Sequence, residues 1–311
     1  MTASAGLVIA TRKSKLALWQ AEHVAALLRR AHPGLAVELL PMSTKGDRIL
    51  DRSLAAIGGK GLFIKELEAA LEDGRAHLAV HSMKDMPADL PAGMTLGAML
   101  SRADPRDALI TRGAPGLGEL PRGARLGTSS LRRRAQLLAS RPDLDIISLR
   151  GNVDTRLKRL DDGELDAIVL AAAGLTRLGL EARIGSLLDP SVSLPAVGQG
   201  VIGVECRTDD EAARAAVHAL NDPAAHTAVS AERAFARRLG GSCQSPIAAF
   251  AELEAGGRLT LRGLVAEPDG SRLIRDGISG SAEDAEELGA RLAERVLAAG
   301  AGELLERLAP A

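Results

Sequence analysis

The chain has 311 residues with a formal net charge of −1, and 46% of them are hydrophobic, so we expect more than one globular domain. The neutral charge and the scarcity of aromatic residues argue against nucleic acid as a partner, because its binding relies on basic grooves and stacked rings. Without a signal-like segment, a membrane-length apolar run or a metal-type cysteine pattern, a cytoplasmic protein with no membrane contact and no metal is expected.

The first hundred residues alternate strand-like and helix-like segments. A strand at 7–10 leads through "TRKS" into the helix "LALWQAEHVAALLRR", and 35–40 form a second strand. Residues 60–74 have helical spacing that Gly74 is suited to end, and the apolar run after them stops in "HSMKDMP". Strands that alternate with helices predict a parallel sheet with helices on both faces.

The same pattern restarts in the middle of the chain. The strand end "ARLG" leads through "TSS" into the helix "LRRRAQLLAS", and further strands and helices follow up to "DAIVLAAAG". Proline-bearing connections at 102–106 and 189–195 would mark two crossings, and "VGQGVIGVEC" would return to the first lobe as a strand. Two lobes joined by two segments form a hinged cleft.

The last ninety residues have a different organisation. A helix around 223–239 runs into the glycine-rich "GGSCQSP", and strand-like segments separated by "AGG" and "PDGS" precede a closing helix. This predicts a small α+β domain. The expected division is residues 1–101 with 199–219 for the first lobe, 102–198 for the second lobe and 220–311 for the third domain.

The two turns "TRKS" and "GTSS" each precede a helix and could bind anions through free backbone N–H groups. Either turn alone is better explained by ordinary N-capping. Arg12 in the first turn, and Arg132 and Arg133 after the second, favour a polyanionic organic ligand, since guanidinium groups bind carboxylates in bidentate fashion. Further arginines stand at strand-to-helix junctions, where each could also be a solvated surface residue: Arg150, Arg156 and Arg177.

Three other residues leave alternatives open. Asp85 either caps a turn before Pro87 or provides a carboxylate that stabilises a cation in the cleft. Cys243 lies in a glycine-rich loop, where a thiol can be functional, whereas Cys206 ends an apolar strand and is most simply a core residue.

Seven ordered motifs carry a resemblance to a known family: "IATRKSKLALWQ", "GGKGLFIKELE", "AVHSMKDMP", "GTSSLRRRAQ", "SLRGNVDTRL", "LPAVGQG" and "GGSCQSP". Together they resemble the porphobilinogen deaminases from about residue 7 to the C-terminus. The resemblance implies an α/β fold of two lobes like those of periplasmic binding proteins around a cleft, with a small α+β C-terminal domain, and it favours a monomer.

The resemblance also implies the reaction. Such enzymes are transferases that deaminate and join four porphobilinogen molecules on a covalently bound dipyrromethane primer, and then release linear hydroxymethylbilane by hydrolysis, in tetrapyrrole (haem) biosynthesis. The cofactor would be attached to Cys243 through a thioether, and Asp85 would be catalytic. The matching cofactor-binding positions are Lys84, Ser82, Thr128, Ser129, Ser130, Arg132 and Arg133. The matching substrate- and product-binding positions are Arg12, Ser14, Arg150, Arg156, Arg177, Gln199 and Lys60.

Two positions depart from the family pattern. Ala56 replaces a lysine that many relatives carry in the lid, and Lys45 stands where an arginine is usual. Two other classes of function stay open from the residues alone. One is a two-lobed anion receptor without catalysis, which would not need Cys243. The other is a lyase that forms a Schiff base on Lys60 or Lys84.

Overall fold

The first lobe is built around a central sheet in the computed structural model, which describes residues 6–48, 64–241 and 245–308. Its elements up to the first crossing are β1 (Leu7–Arg12), α1 (Lys15–Ala31), β2 (Val37–Met42), α2 (Lys45–Arg48), α3 (Lys65–Glu72), β3 (Leu78–Ser82) and β4 (Met94–Met99). Helix α1 is amphipathic, and its buried residues Ala21, Val24 and Leu28 pack in the apolar core of this lobe. Helix α3 ends as predicted, because Gly74 has a positive φ of 72° and its N–H donates to the carbonyl of Leu71.

The second lobe repeats this plan after residues 100–106, which we name the first connection. Its elements are β5 (Asp107–Thr111), β6 (Arg125–Gly127), α4 (Leu131–Ser140), β7 (Asp145–Ile147), α5 (Val153–Asp161), β8 (Ala167–Ala171), α6 (Ala172–Arg177) and β9 (Ser186–Leu188). The strands form a five-stranded sheet in the order β7-β6-β8-β5-β9. Alternating strands and helices thus build a second layered α/β unit.

A second connection, residues 189–201, returns the chain to the first lobe through β10 (Ile202–Arg207) and α7 (Glu211–His218). Strand β10 lies between β3 and β4, in the order β2-β1-β3-β10-β4. The predicted parallel sheet is mixed in both lobes, since β1 pairs in parallel with β2 and β6 with β7, whereas β10 is antiparallel to β3 and β5 is antiparallel to β8. Each of these strands enters its sheet at the carboxyl edge, where Ile202 pairs with Ser82 and Asp107 with Ala171, and it therefore runs against its neighbours.

The C-terminal unit is an antiparallel sheet covered by helices. It comprises α8 (Pro223–Arg238), β11 (Ile247–Leu253), β12 (Arg258–Ala266), β13 (Leu273–Ser281), α9 (Ala285–Val296) and α10 (Gly302–Leu308). The predicted turns join the strands, with positive φ at Gly256, Gly257 and Gly270. Phe235 and Leu292 from the helices pack with Leu261 of the sheet in one apolar core.

Glu232 of α8 ties this unit to both connections. Its fully buried carboxylate accepts two hydrogen bonds from Arg102 of the first connection, at 2.8 and 2.9 Å. It also accepts the backbone N–H groups of Gly198, in the second connection, and of Ala251, in β11, at 2.6 and 2.8 Å. Four donors satisfy the carboxylate, so that its burial is tolerated where the three parts of the chain meet.

The two lobes also touch each other directly. Lys15 at the start of α1 forms an exposed ion pair of 2.9 Å with Asp154 at the start of α5. Helix α1 packs on α6 nearby, where a methyl group added to Gly174 would lie 3.5 Å from Leu16. The first turns of these helices therefore face one another across the two lobes.

We propose the division of the chain expected from the sequence, with residues 1–101 and 199–219, 102–198 and 220–311 as three domains. The membership of β10 in the first sheet and of β5 to β9 in the second supports it.

Candidate active site

Corresponding helix N-termini stand at the carboxyl edges of the two sheets. Helix α1 follows β1, and the Ser14 side chain accepts the N–H of Ala17 at 3.4 Å. Helix α4 follows β6, and the Ser130 side chain accepts the N–H of Arg133 at 3.3 Å. Each serine is thus an N-cap, and the remaining first-turn N–H groups and the helix dipole favour negative charge at both positions.

A short 3₁₀ turn, Met83–Asp85, continues from the end of β3. Met83 anchors this turn, because the residue is 1% exposed and its backbone N–H donates to the carbonyl of Val201 in the second connection at 3.0 Å. Lys84 and Asp85 are both partly exposed. The turn therefore holds an ammonium group and a carboxylate side by side at the carboxyl edge of the first sheet.

Several cationic groups from the second lobe surround this turn. Burial lowers the pKa of Lys84, with Arg133 and Arg156 acting in the same direction and Asp85 and Asp107 against them, so that the pKa falls to about 8. Burial likewise lowers the pKa of Arg156 to about 10, with Arg133 and Arg150 acting in the same direction and Asp85 against them. The structure thus brings Lys84 and Asp85 together with Arg133 and Arg156, and it places Arg150 near Arg156.

Asp107, at the first position of β5, pairs with Arg132 and Arg133 of α4. Arg132 donates to its carboxylate at 2.8 and 3.2 Å, and Arg133 donates at 2.8 and 3.0 Å. Burial alone would raise the pKa of Asp107, but the two guanidinium groups outweigh it and hold that pKa well below its usual range. The adjacent arginines are therefore buried with a shared counter-ion.

The hydroxyl groups near the N-terminus of α4 are engaged in its turn. Ser129 donates to the carbonyl of Leu149 at 2.6 Å, and Thr128 accepts the N–H of Ser130 at 3.2 Å. Ser82 is similarly held in the first lobe, where the side-chain amide of Gln20 donates to it at 2.9 Å. These hydroxyls have fixed positions.

Arg177 lies at a cavity of about 580 Å³ whose lining includes Trp19, His23 and Arg30. Its guanidinium is 6.0 Å from the centroid of the Trp19 ring and donates to the carbonyl of Gly200 at 2.6 Å. Burial lowers the pKa of Arg177 to about 10. Its described contacts are thus with α1 and the second connection.

The remaining predicted residues are placed as follows. Arg12 ends β1 and is partly exposed, as is Arg150 just before α5. Gln199 is buried in the second connection and donates to Asp107 at 2.9 Å. Lys60 and Cys243, together with Ala56, lie outside the described residues.

Cys206 is confirmed as a core residue. The side chain is fully buried in β10, and burial raises the pKa of its thiol to about 11. A thiol that stays protonated at neutral pH is a poor nucleophile.

Sequence reasoning did not find Asp107 or Gln20. Asp107 follows "DPR", where an aspartate is more readily assigned to a turn, and Gln20 is one polar position in an amphipathic helix. No local pattern marks either residue, because their partners are distant in the chain.

Within residues 6–48, 64–241 and 245–308 there is no helix long and apolar enough to cross a membrane. The same ranges hold no group of three or more His, Cys, Asp or Glu that could bind a metal.

These features define an α/β protein of two sheet-and-helix lobes that concentrates cationic groups where the lobes meet, with a smaller third unit behind them. Among solved structures, similar ones include the BvgS VFT2 domain of Bordetella pertussis, with 16% identity and a TM-score of 0.42 over 68% of this chain and 84% of that one. A nutrient binding protein from Burkholderia cenocepacia bound to methionine matches with 14% identity and a TM-score of 0.45, covering 70% and 92%. The sulphonate binding protein SsuA of Escherichia coli matches with 14% identity and a TM-score of 0.41, covering 75% and 70%.

Two family models match the chain itself. The porphobilinogen deaminase dipyromethane cofactor binding domain covers residues 7–215, and the porphobilinogen deaminase C-terminal domain covers residues 226–298. The chain belongs to the porphobilinogen deaminase family, as its seven motifs predicted. Its activity is that of a hydroxymethylbilane synthase: it joins four porphobilinogen molecules with loss of ammonia on a dipyrromethane cofactor and releases linear hydroxymethylbilane.

Proposed function

We propose that the turn Met83–Asp85 and the arginines facing it carry out this synthase reaction, with Asp85 as the catalytic carboxylate. The observation that carries the proposal is the electrostatic contact of Asp85 with both Lys84 and Arg156, which come from different lobes. A fixed carboxylate at this position stabilises positive charge that develops on a pyrrole unit or its N–H groups. The surrounding cations bind the carboxylates of the same unit.

The chemistry of the donors fits a dipyrromethane. Each of its pyrroles carries an acetate and a propionate, so the group presents four carboxylates, and the site offers cations together with the first turn of a helix. When bound, the cofactor supplies the free pyrrole carbon to which substrate units are joined. We assign its binding to Lys84, Ser82, Thr128, Ser129, Ser130, Arg132 and Arg133. Arg132 supports this fit, because its buried Nε has no hydrogen-bond partner among the described residues.

We assign the thioether attachment of the cofactor to Cys243. Cys206, the other cysteine of the sequence, is buried with a raised thiol pKa and is unsuited to react. The glycine-rich sequence around Cys243 also favours an accessible thiol.

Substrate and growing product would be bound by Arg12, Ser14, Arg150, Arg156, Arg177, Gln199 and Lys60. The proximity of Arg156 to Asp85, and of Arg150 to Arg156, supports their assignment to the reacting end of the chain. Arg177 donates to Gly200 of the second connection, and Gln199 of that connection donates to Pro105 of the first, which supports a role for both where the chain passes between the lobes. We further propose that the protein acts as a cytoplasmic monomer without nucleic acid, in keeping with its near-neutral charge.

Intact-protein mass spectrometry tests this proposal. The purified protein should carry an adduct of two pyrrole units, and peptide mapping should place it on Cys243. Mixing with porphobilinogen should add further units and release a linear tetrapyrrole. A protein without the adduct, or one trapped by borohydride on Lys84, would contradict the proposal and support a receptor or a Schiff-base lyase respectively.

A further inference from the structure

The carboxylate of Asp107 gathers donors from two other segments of the chain. It is fully buried, and besides its four bonds with the adjacent arginines it accepts Ser193 Oγ at 2.7 Å and Gln199 Nε2 at 2.9 Å. Those two residues lie in the second connection, whereas Arg132 and Arg133 lie in the first turn of α4. One carboxylate thus joins the sheet of the second lobe, the proposed cofactor-binding helix and the second connection.

Two adjacent residues of a helix normally point in different directions. The side chains of Arg132 and Arg133 nevertheless converge on Asp107, whose carboxylate accepts hydrogen bonds from both guanidinium groups. Without this counter-ion the two guanidinium groups would repel each other in a buried position. The carboxylate therefore determines where the donors of the pair are directed.

Arg133 connects Asp107 to the reacting groups. Its Nε and Nη2 donate to Asp107, and its Nη1 donates to the carbonyl of Val169 at 2.9 Å, so the plane of the guanidinium is fixed. The same guanidinium is close enough to Lys84 and Arg156 to lower the pKa of each. A change in its orientation would be felt where the cofactor carboxylates are proposed to bind.

We propose that Asp107 is a positioning residue for the dipyrromethane cofactor, which acts by aligning the Arg132–Arg133 pair and by setting its net charge. This inference rests on the proposed function, because it takes the pair as cofactor ligands. Asp107 itself would touch neither cofactor nor substrate. Its carboxylate leaves the pair with one net positive charge (two guanidinium groups and one carboxylate).

The charge of Asp107 also reaches Lys84. The groups that face this ammonium are Asp85 in its own turn, Arg133 of α4, Arg156 of α5 and Asp107 of β5. The two carboxylates raise the pKa of Lys84 and the two arginines lower it. Loss of the Asp107 charge would therefore lower the pH at which Lys84 gives up its proton, and with it the upper pH limit of cofactor binding.

The test compares Asp107→Asn with Glu232→Gln. Both changes remove one fully buried carboxylate that pairs with arginine and accepts a hydrogen bond from the second connection, but Glu232 contacts neither Arg132 nor Arg133. Intact mass gives the fraction of protein that carries two pyrrole units, and thermal unfolding gives stability. We expect Asp107→Asn to lower that fraction about 10- to 150-fold, the effect of one charge-assisted hydrogen bond. Glu232→Gln should stay fully loaded at a comparable loss of stability. Asp107→Glu, which keeps the charge, should restore part of the loading.

A second measurement covers the case in which Asp107→Asn folds poorly. Because Asp107 acts through the Arg132–Arg133 pair, Arg133→Gln should reduce loading, and Asp107→Glu should cause a smaller loss in that background than in the wild type. The inference is overturned if Asp107→Asn loads as well as Glu232→Gln, or if the losses at positions 107 and 133 are additive. Adduct on the wild type and on every variant would overturn this inference alone, whereas a wild type without adduct would overturn the proposed function with it.

Discussion

Gly198→Ala tests whether the second connection positions the catalytic turn. Gly198 has a positive φ of 68°, and a Cβ added there would lie 2.6 Å from Met83 Cβ and 3.5 Å from Lys84 N. Carbon atoms prefer to be about 3.5–4.0 Å apart, so the turn would have to move by roughly 1 Å. Asp85 is two residues beyond Met83 and would move with it.

Two contributions to the cost can be separated. Placing alanine at a left-handed backbone position costs about 1–2 kcal/mol. Relieving the contact with Met83 adds about 1–3 kcal/mol, the usual range for overpacking. A displacement of about 1 Å at a catalytic group lowers turnover by as much as about 10²-fold. We therefore expect Gly198→Ala to fold with reduced stability. Because the catalytic group is displaced, its kcat should fall by about one to two orders of magnitude.

Gly123→Ala is the matched control. Gly123 has a similar φ of 73°, is exposed, and has nothing within 4 Å of an added Cβ. This variant should show the backbone cost alone, about 1–2 kcal/mol, with unchanged kcat. The assays are thermal unfolding and steady-state turnover of porphobilinogen. Wild-type kcat in Gly198→Ala, at a stability equal to that of Gly123→Ala, would refute the coupling between the second connection and the turn.

Three further predictions concern the chemistry. Cys243→Ser should fold without a two-pyrrole adduct and without activity, whereas Cys206→Ser should keep both, and an adduct mapped to Cys206 would contradict the attachment site. Asp85→Asn keeps the size of the side chain but removes its charge, so kcat should fall by about 10²-fold or more, and a kcat within a few-fold of wild type would reduce Asp85 to a turn cap. The Lys84 ammonium, with its pKa near 8 in the protein without cofactor, is charged below that pH and neutral above it. Cofactor loading followed by intact mass should therefore decline as pH rises through about 8, Lys84→Arg should move the decline to higher pH, and a profile that is the same for both would exclude Lys84 as a ligand.

Features that depend on neighbours in the chain could be predicted from the sequence. The caps Ser14 and Ser130 bond to N–H groups three residues away, and Gly74 ends α3 through a bond to Leu71. The repeated order of strand, hydroxyl-bearing turn and helix predicted two α/β lobes for the same reason. These local interactions are complete within a few residues, so their pattern is readable without the fold.

The grouping of charges is decided only by the tertiary structure. Asp107 takes its partners from 25 and 26 residues away in α4 and from 86 and 92 residues away in the second connection. The directions of β5 and β10 likewise depend on where the two connections enter the sheets. A buried carboxylate is tolerated only where several distant donors converge, and no local spacing records that convergence.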